Sequence, residues 1–183
     1  MNTNSAIPIR VHSWPKRFLV AGSILQVNIS RGGLPKRPIS SAFIGPLGVE
    51  GDLHDHPQLH GGPRKAILII ASEIVDELQK LGYPVYYGAL GENLTTRGLD
   101  LRDLRIGDQV RAGGAMLEIT APRIPCRQLD VYSPSIQQEI YDSKVKALDA
   151  SSPHWGMSGF YASVLAPGPV GAGDPIEVLA KLA

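Results

Sequence analysis

Apolar residues along this chain fall into short runs of four to eight, separated by glycine, proline and polar positions, a pattern of many short strands. Residues 22–29 are rich in Ile, Leu and Val and read as a strand, followed by a turn at Arg31-Gly32-Gly33-Leu34-Pro35. Residues 39–44 form a second candidate strand. Residues 45–64 read as a long loop holding Gly, Pro, Asp and three His, and loops of that length in compact domains are commonly functional. Residues 66–71 are apolar without interruption, as a strand buried on both faces requires. Ser72 is placed to cap a helix in which Ile74, Val75, Leu78 and Leu81 share one face and Gly82 is the stop. Residues 88–96 read as a loop or an edge strand. Residues 109–112 and 115–120 flank Gly113-Gly114, a hairpin signal. A helix over 135–149 would turn Ile136, Ile140 and Leu148 inward. Strands at 160–165 and 175–179 are joined by the turn-rich Pro167-Gly168-Pro169-Val170-Gly171. About seven short strands and one firm helix predict a mainly β domain closed into a barrel. Residues 1–17, polar and without period, read as a flexible arm, leaving 18–183 as a single domain.

Composition narrows the function classes. With 43% hydrophobic and 19% charged residues the chain has the balance of a globular protein with a core. A net charge of +1 supplies no basic excess for nucleic acid or for a membrane surface. Lys16 and Arg17 before the apolar stretch 18–25 imitate a signal peptide, but Gly22 and Ser23 interrupt it and no small-residue cleavage site follows. With one cysteine no internal disulfide is available, and the expected location is the cytoplasm.

Four segments carry candidate chemistry. In Pro122-Arg123-Ile124-Pro125-Cys126-Arg127 two prolines fix the loop, and Arg123 and Arg127 flank the only thiol. A thiolate is a soft metal ligand or a persulfide carrier, and neighbouring cations favour it. The competing reading is a small buried hydrophobe. In His60-Gly61-Gly62-Pro63-Arg64-Lys65 the glycine amides and the two cations suit an anion, and His60 is a proton carrier near neutral pH. A plain glycine turn is the alternative. In Gly91-Glu92-Asn93-Leu94, Asn93 offers a donor and an acceptor to a heterocycle edge or to a histidine, or else only steadies a bend. In Asp52-Leu53-His54-Asp55-His56 carboxylates and imidazoles resemble a divalent metal set, but the crowded spacing fits a solvated polar loop better.

Taken in order, Gly48-Val49-Glu50-Gly51-Asp52, His60-Gly61-Gly62, Lys65, Gly91-Glu92-Asn93-Leu94, Gly98-Leu99, Ile106-Gly107-Asp108 and Pro125-Cys126 resemble the MOSC family, the molybdenum-cofactor sulfurase C-terminal class. Gly159-Phe160-Tyr161, Pro167-Gly168 and Ala172-Gly173-Asp174 are similar to that family's closing strands. The resemblance implies a closed Greek-key-like β-barrel with a few short helices. It also implies a molybdenum cofactor (molybdopterin), with Cys126 as the metal ligand. Relatives of this type reduce N-hydroxylated compounds, while in cofactor-sulfurase relatives the cysteine handles sulfur. A family-level association with pyridoxal phosphate accompanies it. On this reading the separate N-terminal domain of the amidoxime-reducing relatives and the C-terminal helical extension of the hydroxylaminopurine-resistance relatives are expected to be missing.

Under that resemblance Cys126, His60 and Asn93 form the catalytic set. Gly61, Gly62, Arg64, Lys65, Glu92, Arg123 and Arg127 are the cofactor-binding set, and the loops carrying them are expected to meet in one pocket. No flavin or nicotinamide fingerprint is present, so a reductase of this sequence needs a separate electron-donor protein beside its small-molecule substrate. A sulfur carrier holding a Cys126 persulfide and a non-catalytic small-molecule binding domain are the alternatives.

Overall fold

A computed structural model describes residues 18–53 and 61–179. The expected arm at 1–17, the segment with His54, Asp55, His56 and His60, and residues 180–183 lie outside the described residues. Strands β1 (Phe18–Ile29), β2 (Arg37–Ile39), β3 (Ser41–Gly45) and β4 (Gly48–Val49) come first. Next come β5 (Ile67–Ala71), helix α1 (Ser72–Lys80), β6 (Leu94–Arg97), β7 (Gln109–Ala112) and β8 (Ala115–Pro122). Short helices α2 (Ile136–Ile140) and α3 (Ser143–Lys146) precede β9 (Phe160–Ala166), β10 (Gly168–Gly171) and β11 (Pro175–Leu179).

Seven of these strands close on themselves in the order β1, β11, β7, β8, β9, β5, β6 and back to β1. The barrel and its few short helices agree with the expected fold, and the neighbours are largely non-consecutive, as a Greek-key-like connectivity requires. All pairs in the ring are antiparallel except β5 with β6, which α1 separates in sequence. A smaller sheet, β10-β3-β4, lies outside the ring. Closure depends on the long first strand: Ser23 pairs with Pro175 on one side and with Arg97 on the other. At Gly22 any Cβ would collide with the Arg97 carbonyl, so the crossing of three strands there demands glycine. Ile24, Ile67, Ile69, Leu94, Leu117 and Phe160 are fully buried and fill the interior.

Several local expectations change. Residues 39–44 are two strands, β2 and β3, with a bend at Ser40, so the chain passes from the barrel to the small sheet. The long loop contains β4 and a one-turn 3-10 helix at Pro63–Lys65. Ser72 is the first helical residue, not the cap; Ala71 takes the cap position without a side-chain bond, and Leu81 is exposed. Residues 94–97 form an interior strand with two neighbours, not an edge. The expected helix over 135–149 breaks at Tyr141-Asp142, where Asp142 caps α3 through Val145 N (2.8 Å). That break turns Val145 inward and leaves Leu148 exposed. The supposed turn at 167–171 is β10, paired with β3. No helix among the described residues is long and apolar enough to cross a membrane.

Candidate functional site

A cleft of about 610 Å³, including space open to solvent, is set against the barrel wall. Leu68 and Tyr161, opposite each other across β5 and β9, contribute to it, on the face alternate to the buried Ile67 and Ile69. Cys126, Asn93, Arg123, Lys65 and Gly61 all line it. Gly61, Asn93 and Cys126, from three segments spread over the sequence, therefore line one cleft.

Cys126 is half-buried at the end of the irregular stretch that leaves β8, and its Sγ has one long contact, to Gln128 Oε1 at 3.9 Å. Arg123, 4% exposed, is held by its backbone: its N–H donates to Gly159 O (2.9 Å), and its carbonyl accepts from Ser158 Oγ (2.7 Å). Nη2 donates to Leu90 O at 3.0 Å, while buried Nη1 makes no hydrogen bond among the described residues. Burial weakens the hold of this guanidinium on its proton, while the nearby Tyr161 hydroxyl and Cys126 thiol oppose that effect. Lys65 is exposed at the rim, with Nζ 5.6 Å from the centre of the Tyr161 ring.

Asn93 is 2% exposed, and its amide is engaged by the protein itself. Oδ1 accepts from Leu68 N (3.1 Å), and Nδ2 donates to Asp52 Oδ2 (2.8 Å) and weakly to Asn28 O (3.4 Å). The bend-steadying reading describes these bonds, although the residue also faces the cleft. Glu92 is fully buried behind the wall rather than lining the cleft, accepting from Gly88 N and Thr95 Oγ1. Burial raises its carboxyl well above the ordinary value, outweighing those bonds. Arg64 and Arg127 are exposed and line no part of the cleft, and neither does Gly62. His60 lies outside the described residues, directly before Gly61 in sequence.

Two site residues escaped the sequence reading. Lys36 lines the cleft with its side chain 6% exposed and forms an ion pair with Asp52, itself 3% exposed. Asp52 also accepts from Ser30 N at 2.8 Å. It is committed to this pair rather than to a metal, and among the described residues no three His, Cys, Asp or Glu side chains converge. Tyr161 is the other. Its raised pKa, caused mainly by burial, keeps the hydroxyl a donor beside Arg123 and Cys126. The available signal for Lys36 was a lysine directly after a Gly-Gly-Leu-Pro turn, which by itself is common.

Residues 56–177 match the MOSC domain family. The chain is 31% identical over 144 residues to Protein YiiM of Escherichia coli (strain K12), covering 74% of this chain and 58% of that protein. It is 32% identical over 151 residues to the protein YflK of Bacillus subtilis (strain 168), covering 81% and 64%. It thus spans roughly three-fifths of the length of these relatives. The crystal structure of YiiM from Geobacillus stearothermophilus superposes with a TM-score of 0.65 at 27% identity, over 87% of this chain and 75% of that one. The YUAD protein of Bacillus subtilis, at 24% identity, a TM-score of 0.65 and coverage of 88% and 97%, shares the fold.

Proposed function

The chain belongs to the MOSC domain family, and from that premise we propose that it holds the molybdenum cofactor in this cleft and reduces N-hydroxylated compounds there. The observation that supports the reading is the pairing of a half-exposed thiol, Cys126, with Arg123, a buried guanidinium whose Nη1 has no partner. A buried cation with an unspent donor is costly unless an anion completes it. The donor set fits the cofactor: a soft sulfur for molybdenum, cations at Arg123 and Lys65 and a backbone amide at Gly61 for anionic oxygens. The cofactor, when bound, supplies a metal centre that exchanges two electrons and accepts an oxygen atom.

The protein's own residues then have defined tasks. Cys126 presents its sulfur from a loop held at Arg123 by Gly159 and Ser158. Arg123 balances the charge of the thiolate. Tyr161 offers a hydroxyl donor at the same wall, and Leu34, Leu53 and Leu90 supply an apolar side for a flat heterocycle. His60 retains the proposed role of proton source for the departing oxygen. The overall change, R–NHOH + 2 e⁻ + 2 H⁺ → R–NH₂ + H₂O, draws its electrons from a separate donor protein. Pyridoxal phosphate has no part in this reading.

Elemental analysis of protein purified from a molybdenum-replete host is the test. Stoichiometric molybdenum in the wild-type chain and none in Cys126→Ser supports the proposal. Cyanide-labile sulfur without metal replaces it with the persulfide-carrier reading. Absence of both leaves a binding domain without redox chemistry.

A further inference from the structure

Among the described residues, Lys36 is the charged residue of the cleft that the thiol chemistry does not employ. Its ammonium has three N–H donors. One goes to Asp52, and among the described residues no acceptor takes the other two. Lys36 lines the cleft, and 6% of its side chain is exposed.

The ammonium is held in place from behind. Asp52 accepts from Lys36, from Ser30 N and from Asn93 Nδ2, so its carboxylate has no freedom to turn. Asn93 is fixed in turn by Leu68, which it bonds through both side chain and backbone, and by Asn28 N, which donates to its carbonyl at 2.7 Å. On the other side, the Lys36 N–H donates to Gly88 O at 3.0 Å. A Cβ at Gly88 would collide with the Lys36 carbonyl, so the approach depends on glycine there. A surface lysine loses rotamer freedom when it takes an anion, whereas this one has lost it on folding.

The charge balance of the wall points the same way. Lys36 and Arg123 are both buried cations. Of the two carboxylates behind them, Asp52 is committed to Lys36, and burial drives Glu92 towards its neutral form. Among the described residues both cations keep a donor without an acceptor. Burial lowers the pKa of Lys36, and Asp52 is the main influence opposing that shift. A buried ion pair contributes little stability for its own sake, and a purely structural pair needs neither spare donors nor a cleft.

We infer that Lys36, positioned by Asp52 and Asn93, binds an anionic or strongly polarised oxygen of the cleft's ligand, either on a phosphate ester or on an N–O group. The inference rests on the cleft being the ligand site proposed above, but not on the presence of molybdenum.

The test is calorimetric titration of the full chain without cofactor, using inorganic phosphate in one series and benzamidoxime in another. The variants are Lys36→Gln, which keeps a bond to Asp52 but loses the charge, and Lys36→Arg. Loss of about tenfold or more in phosphate affinity in Lys36→Gln, with partial recovery in Lys36→Arg, assigns the oxygen to a phosphate. The same loss confined to benzamidoxime assigns it to the N–O group. Equal affinities of both probes for wild type and Lys36→Gln, or no binding of either to wild type, overturn the inference. Should Lys36→Gln fail to fold, crystals of the wild-type chain grown with phosphate decide. An anion within hydrogen-bond distance of Lys36 Nζ supports the assignment, and an anion only at Arg64 or Lys65 refutes it. The cofactor reading fails separately: wild-type protein without molybdenum but with Lys36-dependent phosphate binding removes that reading alone.

Discussion

Asn93 Nδ2 donates to Asp52 Oδ2 at 2.8 Å, joining two buried side chains that are 41 positions apart in the sequence. This bond ties the loop after β4 to the start of β6, and through Asp52 it fixes Lys36 at the cleft. It also explains why an asparagine stands at position 93. Its amide serves the Leu68 N–H as acceptor and the Asp52 carboxylate as donor at once.

Asn93→Ala should therefore be costly. It leaves the buried Leu68 N–H without its partner and takes one of two donors from Asp52 Oδ2, which keeps Lys36, and a loss of about 2 kcal/mol is expected. Urea unfolding followed by far-UV circular dichroism measures it. Asn93→Asp should do no better, because a second carboxylate would face Asp52. A cost within about 0.5 kcal/mol for the alanine variant would show that these bonds do not hold the wall together.

Cys126→Ser is expected to behave in the opposite way. The thiol is half-buried and has one long contact, so unfolding should shift by no more than about 0.5 kcal/mol. Molybdenum content and reduction of N-hydroxylated substrate should nevertheless be lost, since a hydroxyl is a poor ligand for a soft centre. A serine variant with wild-type activity would remove Cys126 from the mechanism.

Glu92 gives a pH prediction of definite sign. Its folded pKa is raised above the ordinary 4.5, so the folded state binds the proton more tightly than the unfolded chain. That contribution is fully present below the unfolded value and is lost as pH rises through the folded value. Glu92→Gln, which mimics the neutral acid, should be insensitive to this change. Its stability relative to wild type should grow between acid and neutral pH. Thermal melting of both proteins over pH 4 to 8 checks it, and parallel curves would contradict the assignment of a neutral buried acid.

Two glycines separate backbone necessity from ligand contact. At Gly88, φ is 95° and a Cβ would strike the Lys36 carbonyl, so Gly88→Ala should cost more than about 2 kcal/mol and disturb phosphate binding. At Gly62, φ is 82° but no atom lies within 4 Å of the added Cβ, and the residue lines no part of the cleft. Gly62→Ala should cost about 1 kcal/mol from the backbone alone and leave ligand affinity unchanged. Melting temperatures and phosphate titrations of the two variants distinguish these outcomes.

What the sequence determined by itself was set by local pattern. The apolar run at 66–71 is a strand buried along its length, because a run without polar interruption must be covered on both faces. The Gly113-Gly114 pair closes the hairpin between β7 and β8, because a two-residue turn needs backbone freedom. Cys126, Asn93, Arg123, Lys65 and Gly61 were all legible as chemistry-bearing residues from their motifs, and the cleft gathers them. Tertiary structure alone decided the rest. Position 148 is outside because Asp142 starts a new helix, a competition between capping and continuation that apolar spacing does not reveal. Glu92 stands behind the wall while its neighbour Asn93 faces the cleft, and both lie in the bend before β6, where no strand period assigns their sides. Arg127 points to solvent and Arg123 into the wall for want of any local signal: the difference comes from Ser158, Gly159 and Leu90, more than thirty positions away. Lys36 became a site residue only because Asp52, sixteen positions on, was brought beneath it. A buried charge is defined by the partners that folding delivers, and those partners are not neighbours in the chain.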